Sequence, residues 1–255
     1  MTLWKSHFNL LKTLYFNFKV FDFKTAMKLP VFLYGDIQFE GLHAGCVELR
    51  QVKLGVVKIG GGWHTETFGY SNRYKSFLRL KGKLVLGSKI FIQQGFVLSI
   101  NSKAIVTIGD NVHLNERVTI HSKESITIND NCGISWNTQI LDSSFHYMIK
   151  QGKLAYRNAP VFLGRNVWVA NSVTIMNGVY LPDYTVVASN SLVNKDFREL
   201  GAHCLIGGVP AKMITNGVER LHLQDSKVDK LFNSPDEVLE YTDVEEELQK
   251  AKRYD

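Results

Sequence analysis

An aliphatic residue recurs at every sixth position of the segment 163–193, at Leu163, Val169, Ile175, Leu181, Val187 and Val193. Six is a multiple of the two-residue period of a strand and not of the helical period, so these side chains point to one side of short extended segments. A repeat this short cannot bury its own apolar face, and successive units must stack on one another. The pattern therefore predicts an all-β fold built as a stacked parallel β-helix.

The same six-residue spacing extends upstream in three sets of three positions. The sets are Leu86, Ile92 and Leu98, then Ile108, Leu114 and Ile120, then Ile128, Ile134 and Ile140. Three repeats to a set predict a triangular coil with three short faces. The stretches IGDN, INDN and LGRN begin faces in a similar way, which indicates one continuous stack. Residues 31–85 are less regular, and we interpret them as atypical early coils.

The repeat is interrupted once, directly after His146. Residues 147–160 have no six-residue spacing, so we predict a loop that leaves the stack and rejoins it at Pro160. Long loops on a rigid scaffold often carry function. The predicted β-helix domain spans residues 31–215 and includes this loop.

Two further segments flank the predicted β-helix. Residues 1–30 place five lysines among aromatic and aliphatic residues, which predicts either a helical cap on one end of the stack or an interfacial segment that touches anionic lipid. In the tail, 216–255, the spacing of Ser234, Pro235 and Glu237 matches the start of a helix. We therefore expect an N-terminal capping segment and a C-terminal helix.

Composition narrows the class of protein. Of the 255 residues, 45% are hydrophobic and 21% are charged, which is typical of a soluble globular chain. No apolar run approaches the ~18 residues of a membrane-spanning helix, and the first residues lack the features of a signal peptide. The cysteines, Cys46, Cys132 and Cys204, are scattered, which fits a reducing cytoplasm. The net charge of +6 is not arranged as a basic stripe with aromatics in the repeat region, so we expect no nucleic-acid partner.

The repeats, the block VFLGRNVWVANSVTI, the single loop after a histidine and the closing GGVPAKMI together resemble the hexapeptide-repeat acyltransferases. The branch that they resemble contains galactoside and maltose acetyltransferases and O-acetyltransferases of capsule and lipopolysaccharide. The resemblance covers roughly residues 86–215. It implies a left-handed parallel β-helix, a homotrimer with active sites between neighbouring prisms, and acetyl-CoA as the acyl donor.

The resemblance also implies a catalytic set. His146, in DSSFH, stands where the family has its catalytic histidine, and a neutral imidazole can take a proton from a sugar hydroxyl. Asn115 stands where relatives have an asparagine at the acceptor site, where it could stabilise an oxyanion or only form a corner turn. Asp142 could orient the imidazole or cap a turn. Ser122 and Lys123 stand where relatives have an aspartate, which argues against a simple galactoside-like acceptor.

Donor recognition is implied at six positions that match the family's motifs: Trp168, Asn171, Ser189, Asn194, Lys195 and Lys212. The first three correspond to residues that line or contact the pantetheine arm. The lysines could neutralise phosphates as point charges, or could be ordinary solvated surface. Where some relatives have a further arginine, this chain has Thr215, which implies a looser hold on the nucleotide end.

The leading functional hypothesis is an acetyl-CoA-dependent O-acetyltransferase that acts on a sugar hydroxyl of a surface-polysaccharide precursor of the capsule, lipopolysaccharide or exopolysaccharide type. An N-acyltransferase on an amino sugar or nucleotide sugar is the alternative. A γ-type carbonic anhydrase with zinc on His113, His121 and His146 is a third hypothesis, although the spacing does not match that family and we expect no metal. A catalytically inactive scaffold is a fourth. We expect a cytoplasmic protein, with the inner face of the membrane as an alternative location.

Overall fold

The computed structural model describes residues 8–61, 74–221 and residue 240. The chain divides into two compact units, Met1–Arg220 and Leu221–Asp255. The first unit contains both helices and every strand described below. The predicted C-terminal helix, with Ser234 at its start, lies outside the described residues. No described helix is long and apolar enough to cross a membrane.

Two helices precede the first strand, α1 at Leu10–Val20 and α2 at Phe23–Ala26. Asn9 caps α1 by accepting a hydrogen bond from the Lys12 N–H at 3.0 Å. The Asn17 amide of α1 donates to the Val31 carbonyl oxygen at 2.7 Å and accepts from the Val31 N–H at 3.2 Å. These side-chain bonds satisfy backbone groups of the first strand that no earlier strand pairs with.

The strands that follow are short. In chain order they are β1 (Val31–Leu33), β2 (Ile37–Glu40), β3 (Val47–Leu49), β4 (Val57–Gly61), β5 (Ser76–Leu80), β6 (Lys83–Leu86), β7 (Ile90–Gln93), β8 (Val97–Ile100), β9 (Ile105–Ile108), β10 (His113–Leu114), β11 (Thr119–Ser122), β12 (Ser125–Ile128), β13 (Gly133–Ile134), β14 (Gln139–Leu141), β15 (Ile149–Lys150), β16 (Lys153–Leu154), β17 (Val161–Leu163), β18 (Trp168–Val169), β19 (Thr174–Ile175), β20 (Tyr180–Leu181), β21 (Val186–Val187), β22 (Leu192–Val193), β23 (Cys204–Gly208) and β24 (Ala211–Asn216). A short 3₁₀ turn, Arg198–Leu200, follows β22.

Three sheets form the faces of a triangular prism. Sheet 1 has the order β1-β4-β7-β10-β13-β18-β21-β23-β24, sheet 2 has β2-β5-β8-β11-β14-β19-β22, and sheet 3 has β3-β6-β9-β12-β17-β20. The chain visits the three sheets in turn, and neighbouring strands are parallel until β24, which runs antiparallel to β23. The fold is a parallel β-helix, which confirms the fold class predicted from the six-residue spacing.

The hexad positions form the core of this prism. Each of the fifteen aliphatic residues that define the repeats is no more than 2% exposed, from Leu86 to Val193. The residues four positions later in the segment 163–193 are buried as well, including the polar Thr185 and Ser191. Thr185 donates to the Pro182 carbonyl oxygen at 2.8 Å, and Ser191 to that of Ala188 at 2.7 Å. Their hydroxyls therefore have partners inside the prism.

The early coils belong to the same three sheets. Strands β1–β3 form the first coil, and β4–β6 form the second. The turns that the structure describes between these strands differ in length from those of the later coils, so the six-residue spacing is harder to see in the sequence. Residues 62–73 lie outside the described residues. The core-facing residues of these strands are nevertheless fully buried, as in Ile59 and Leu78.

Candidate active site

The sequence-predicted site residues lie along two different edges of the prism. One edge joins sheets 1 and 2, and the chain crosses it after β10, β13, β18 and β21. The other joins sheets 2 and 3, and the chain crosses it after β11, β14, β19 and β22. We call them the sheet 1–2 edge and the sheet 2–3 edge.

The sheet 1–2 edge carries three of the predicted residues in a column. Asn115 follows β10, Asn171 follows β18 two coils further on, and Ser189 follows β21 in the next coil. The Ser189 hydroxyl donates to the Asn171 side-chain oxygen at 2.8 Å. The column is regular because each turn here places one residue in the left-handed region, at Arg117, Asn137, Ser172 and Asn190 (φ 57° to 60°).

Trp168 lies on the outer side of sheet 1, next to this edge. Its indole N–H donates to the Ser135 hydroxyl at 3.3 Å, which links the ring to the residue that follows β13. The Arg220 guanidinium lies 5.5 Å from the ring centroid, beside Gly133 of the neighbouring strand. A side chain at Gly133 would collide with this guanidinium. Sequence reasoning missed Arg220, because nothing in the pattern around it connects it with sheet 1.

Lys212 lies on β24, in the hairpin that ends sheet 1, and its side chain is exposed. The N–H of Gly208, the last residue of β23 before the hairpin turn, donates to the Ser191 hydroxyl at 3.0 Å. This bond brings the hairpin turn beside the last crossing of the sheet 1–2 edge, where Ser189 lies. Trp168, Asn171, Ser189 and Lys212 are thus all on or beside one edge.

His146 belongs to the sheet 2–3 edge, where the loop leaves the prism. The loop is a hairpin, because β15 and β16 pair antiparallel and Ser143 forms a bridge with Asn158. The Ser144 N–H donates to the Arg157 carbonyl oxygen at 2.9 Å, and the His146 N–H donates to that of Ser144 at 2.7 Å. These bonds fix the backbone at the base of the hairpin, and the side chain of His146 is exposed there.

Phe145, the residue before His146, is held in place by several contacts. Its backbone is left-handed (φ 61°), and its ring lies edge-on to His121 at 5.9 Å and beneath the Lys123 ammonium at 4.7 Å. Its carbonyl oxygen accepts from the Arg157 guanidinium at 3.0 Å. Burial lowers the pKa of the His121 imidazole, and the cationic side chains of Arg79 and Lys123 lower it further. At neutral pH His121 is therefore an uncharged packing partner of Phe145.

Asp142 is fully buried under the base of the hairpin. Its carboxylate accepts three hydrogen bonds from the turn of the preceding coil: from the Ser122 hydroxyl at 2.7 Å, the Lys123 N–H at 2.7 Å and the Glu124 N–H at 2.9 Å. An aspartate at position 122 would place a second carboxylate against this one. The geometry favours the turn-capping interpretation of Asp142, in which it ties the hairpin to the coil below.

Asn194 and Lys195 follow β22 and are exposed at the last crossing of the sheet 2–3 edge. The Lys195 ammonium lies 5.1 Å from the Phe197 ring centroid. One coil below, the side-chain amide of Asn177 donates to the Arg157 carbonyl oxygen at 3.4 Å. The part of the sheet 2–3 edge that carries Asn194 and Lys195 is therefore continuous with the base of the hairpin. Along one chain, His146, Asn194 and Lys195 therefore share an edge that does not include Asn115, Asn171 or Ser189.

The three histidines of the zinc hypothesis are on separate parts of the prism. His113 lies on sheet 1 against the Phe91 ring at 4.9 Å, His121 lies on sheet 2, and His146 lies in the hairpin. Within the residues that the structure describes, no three His, Cys, Asp or Glu side chains are grouped as metal ligands would be. Cys132 is buried, and burial raises the pKa of its thiol to about 12.

Similarity to known proteins agrees with this architecture. The galactoside O-acetyltransferase of Escherichia coli K12 is 27% identical over 150 residues, which are 56% of this chain and 63% of that protein. A lipopolysaccharide biosynthesis O-acetyl transferase by name, WbbJ of the same strain, is 28% identical over 152 residues, covering 56% and 76%. The chain is related to the hexapeptide-repeat acetyltransferases. It spans less than two thirds of the galactoside enzyme. No family model matches the chain.

Two solved acetyltransferase structures align with part of this chain. A hexapeptide-repeat acetyltransferase of Vibrio cholerae O1 biovar eltor, in complex with acetyl coenzyme A, is 26% identical, covers 52% of this chain and 70% of its own, and has a TM-score of 0.43. The polySia-specific acetyltransferase NeuO is 19% identical, covers 78% and 99%, and has a TM-score of 0.46.

Proposed function

We propose that the protein is an acetyl-CoA-dependent O-acetyltransferase that acts on a sugar hydroxyl of a surface-polysaccharide precursor. The observation that carries the proposal is the exposed His146 side chain, held at the base of a hairpin whose backbone is fixed on both sides. The relationship to galactoside O-acetyltransferase and WbbJ supports the reaction type and a sugar acceptor. In this proposal the protein works in the cytoplasm.

In the proposed reaction the neutral imidazole of His146 accepts the proton of the sugar hydroxyl as its oxygen attacks the thioester carbonyl. The tetrahedral intermediate carries a negative oxygen, to which the Asn115 side-chain amide donates a hydrogen bond. Collapse of the intermediate forms the acetyl ester and breaks the carbon–sulfur bond, and the departing thiolate takes the proton from the imidazolium. Asp142 contributes by holding the hairpin in place.

The site in this proposal is shared between two chains. His146 and Asn115 lie on different edges of one prism, so a neighbouring prism must bring its sheet 1–2 edge against the sheet 2–3 edge that carries His146. The hairpin also exposes a group of large apolar side chains that such a neighbour would cover: Tyr147, Met148, Ile149, Leu154 and Tyr156. A closed threefold arrangement repeats this contact and gives a homotrimer.

The acyl donor would lie along the sheet 1–2 edge of one chain. Asn171 and Ser189 offer small polar side chains there, and Trp168 offers a flat apolar surface beside them. Lys212 of that chain, and Lys195 with Asn194 on the edge contributed by its neighbour, would meet the phosphates from two sides. The side chains at this edge fit an extended, partly apolar arm that ends in negative charge.

Mixing two inactive variants tests whether the site is shared. His146→Ala removes the base, and Asn115→Ala removes the oxyanion donor, so each alone should transfer acetyl groups slowly. In trimers assembled from equal amounts of both chains, about a quarter of the sites should combine an intact His146 edge with an intact Asn115 edge. Transfer to sugar acceptors should therefore return to about a quarter of the wild-type rate, measured as thiol release from acetyl-CoA.

The matched control mixes His146→Ala with the double variant His146→Ala/Asn115→Ala, in which no site can be intact. Light scattering should give three times the 28.9 kDa chain mass for every sample. Alkali should release acetate from the product, because an O-acetyl ester is labile to alkali and an amide is not. A monomeric mass, or no gain from mixing two stable variants, would contradict the shared site.

Removing either lysine should weaken binding of the donor. Lys212→Ala and Lys195→Ala should each raise the KM for acetyl-CoA by roughly tenfold, because an exposed charge-assisted contact to a phosphate is lost, with little change in the acceptor KM. Lys89→Ala removes an equally exposed lysine from a corner between sheets 3 and 1 and serves as the control. A donor KM that stays the same in both site variants would show that these lysines are ordinary surface residues.

A further inference from the structure

The N-terminal helices have an exposed apolar surface that their packing on the prism does not explain. One face of α1 is buried on the first coil through Thr13, Phe16, Asn17 and Val20. Other large apolar side chains of α1 and α2 face solvent, and we call them the end patch: Leu10, Leu11, Leu14, Tyr15, Phe18, Phe23 and Met27. Leu11 is 80% exposed and Phe23 is 73% exposed. A cap needs only the buried face.

The end patch is continuous along the helices. Leu10, Leu14 and Phe18 follow one another at intervals of four residues, so they lie one above the other on one side of α1. Leu11 and Tyr15 form a second row beside them. The Phe18 ring lies 5.9 Å from that of Phe23, which extends the surface onto α2. Exposed apolar surface of this extent usually marks an interaction site.

Positive charge surrounds the end patch. Lys19, Lys24 and Lys28 are exposed, and none of them forms an ion pair with any residue that the structure describes. Two acids close to these lysines in sequence already have partners. Asp22 caps α2 by accepting from the Thr25 N–H at 3.1 Å, and Asp36 is 2.9 Å from the Lys12 ammonium. The end of the prism therefore combines bulky apolar side chains with ammonium groups that have no ion-pair partner among the described residues.

We propose that the end patch binds the surface of a membrane that contains anionic lipid. In that position Leu11, Phe23 and their neighbours enter the boundary between headgroups and acyl chains, while the lysines lie at the level of the headgroup phosphates. A second copy of this chain fits less well, because a twofold contact would bring the same lysines together. The inference goes beyond the proposed acetyl transfer and uses none of its residues.

Vesicle sedimentation tests the contribution of charge. The full-length protein should sediment with vesicles of equal parts phosphatidylglycerol and phosphatidylcholine, remain in solution with pure phosphatidylcholine, and be released by ~0.5 M salt. Lys24→Gln/Lys28→Gln should weaken vesicle binding by about 25-fold, since each lysine near such a surface contributes about fivefold. Lys89→Gln/Lys103→Gln removes two exposed lysines elsewhere on the prism and should bind as the wild type does.

The double variant Leu11→Ser/Phe23→Ser tests the apolar contribution. It should lower vesicle binding on the order of tenfold or more, leave the midpoint of thermal unfolding unchanged because both side chains are already exposed, and retain acetyl transfer to a soluble sugar.

Three results would overturn the proposal: no sedimentation of the wild type, equal binding by the two lysine pairs, or a smaller oligomer in the Leu11→Ser/Phe23→Ser variant. The last result would mean that a second copy covers the end patch. Loss of transfer in His146→Ala bears on the proposed function alone, so the two ideas can fail separately.

Discussion

Replacement of His146 by alanine is expected to lower the rate of acetyl transfer by about 10²–10⁴-fold, which is the usual cost of removing a general base. Binding of acetyl-CoA should hardly change, because the proposed donor contacts lie on other residues. The variant should also fold, because the His146 side chain is exposed and His146 donates at the base of the hairpin through its backbone N–H. Steady-state rates with an acceptor sugar, together with donor affinity by calorimetry, measure both expectations.

The choice of control for this variant follows from the structure. His113→Ala changes a histidine of sheet 1, away from the hairpin of its own chain, and should retain substantial activity. His121→Ala is a weaker control, because its ring packs against Phe145 and its loss would loosen the residue next to His146. A near-normal kcat for His146→Ala would rule out the proposed mechanism even if the fold and the donor site are correct.

Replacement of Asp142 by alanine should destabilise the protein by about 3–5 kcal/mol. The change leaves the Ser122 hydroxyl and the N–H groups of Lys123 and Glu124 without their buried acceptor, and each unsatisfied donor is costly. Chemical denaturation at one fixed protein concentration measures the free energy of unfolding without a change in assembly.

Asp196→Ala is the matched control for this loss of stability. Asp196 is exposed and bonds with Arg198, so its replacement should cost less than about 1 kcal/mol. If Asp142→Ala were as stable as wild type but inactive, Asp142 would act in the chemistry and the turn-capping role would be wrong.

The part of the fold predicted from sequence is the part in which side-chain direction alternates strictly. The hexads from Leu86 to Val193 fill the interior because six residues return a strand residue to the same side of the chain. The position of His146 followed from the same rule, because the spacing stops there. The conformation of the hairpin did not follow, because it depends on pairs such as Ser143 with Asn158, which no period connects.

Contacts between distant parts of the chain could not be predicted from the sequence either. The Arg220 guanidinium over Trp168 joins residues 52 positions apart that share no motif. The role of Asp142 could not be decided either, because an aspartate before a loop can cap a turn or orient a histidine, and only the positions of Ser122 and Lys123 distinguish the two.

The hydrogen bonds between Asn17 and Val31 bear on how long a stack of this kind can become. A parallel β-helix ends in an open strand edge, and such an edge can template further strands from another molecule. Here one amide side chain occupies both the N–H and the carbonyl oxygen of Val31, and Thr13 accepts from the Leu33 N–H at 3.0 Å. At the opposite end the antiparallel β24 covers β23. In sheet 1, these contacts disfavour the joining of prisms end to end into fibres and leave their sides for association.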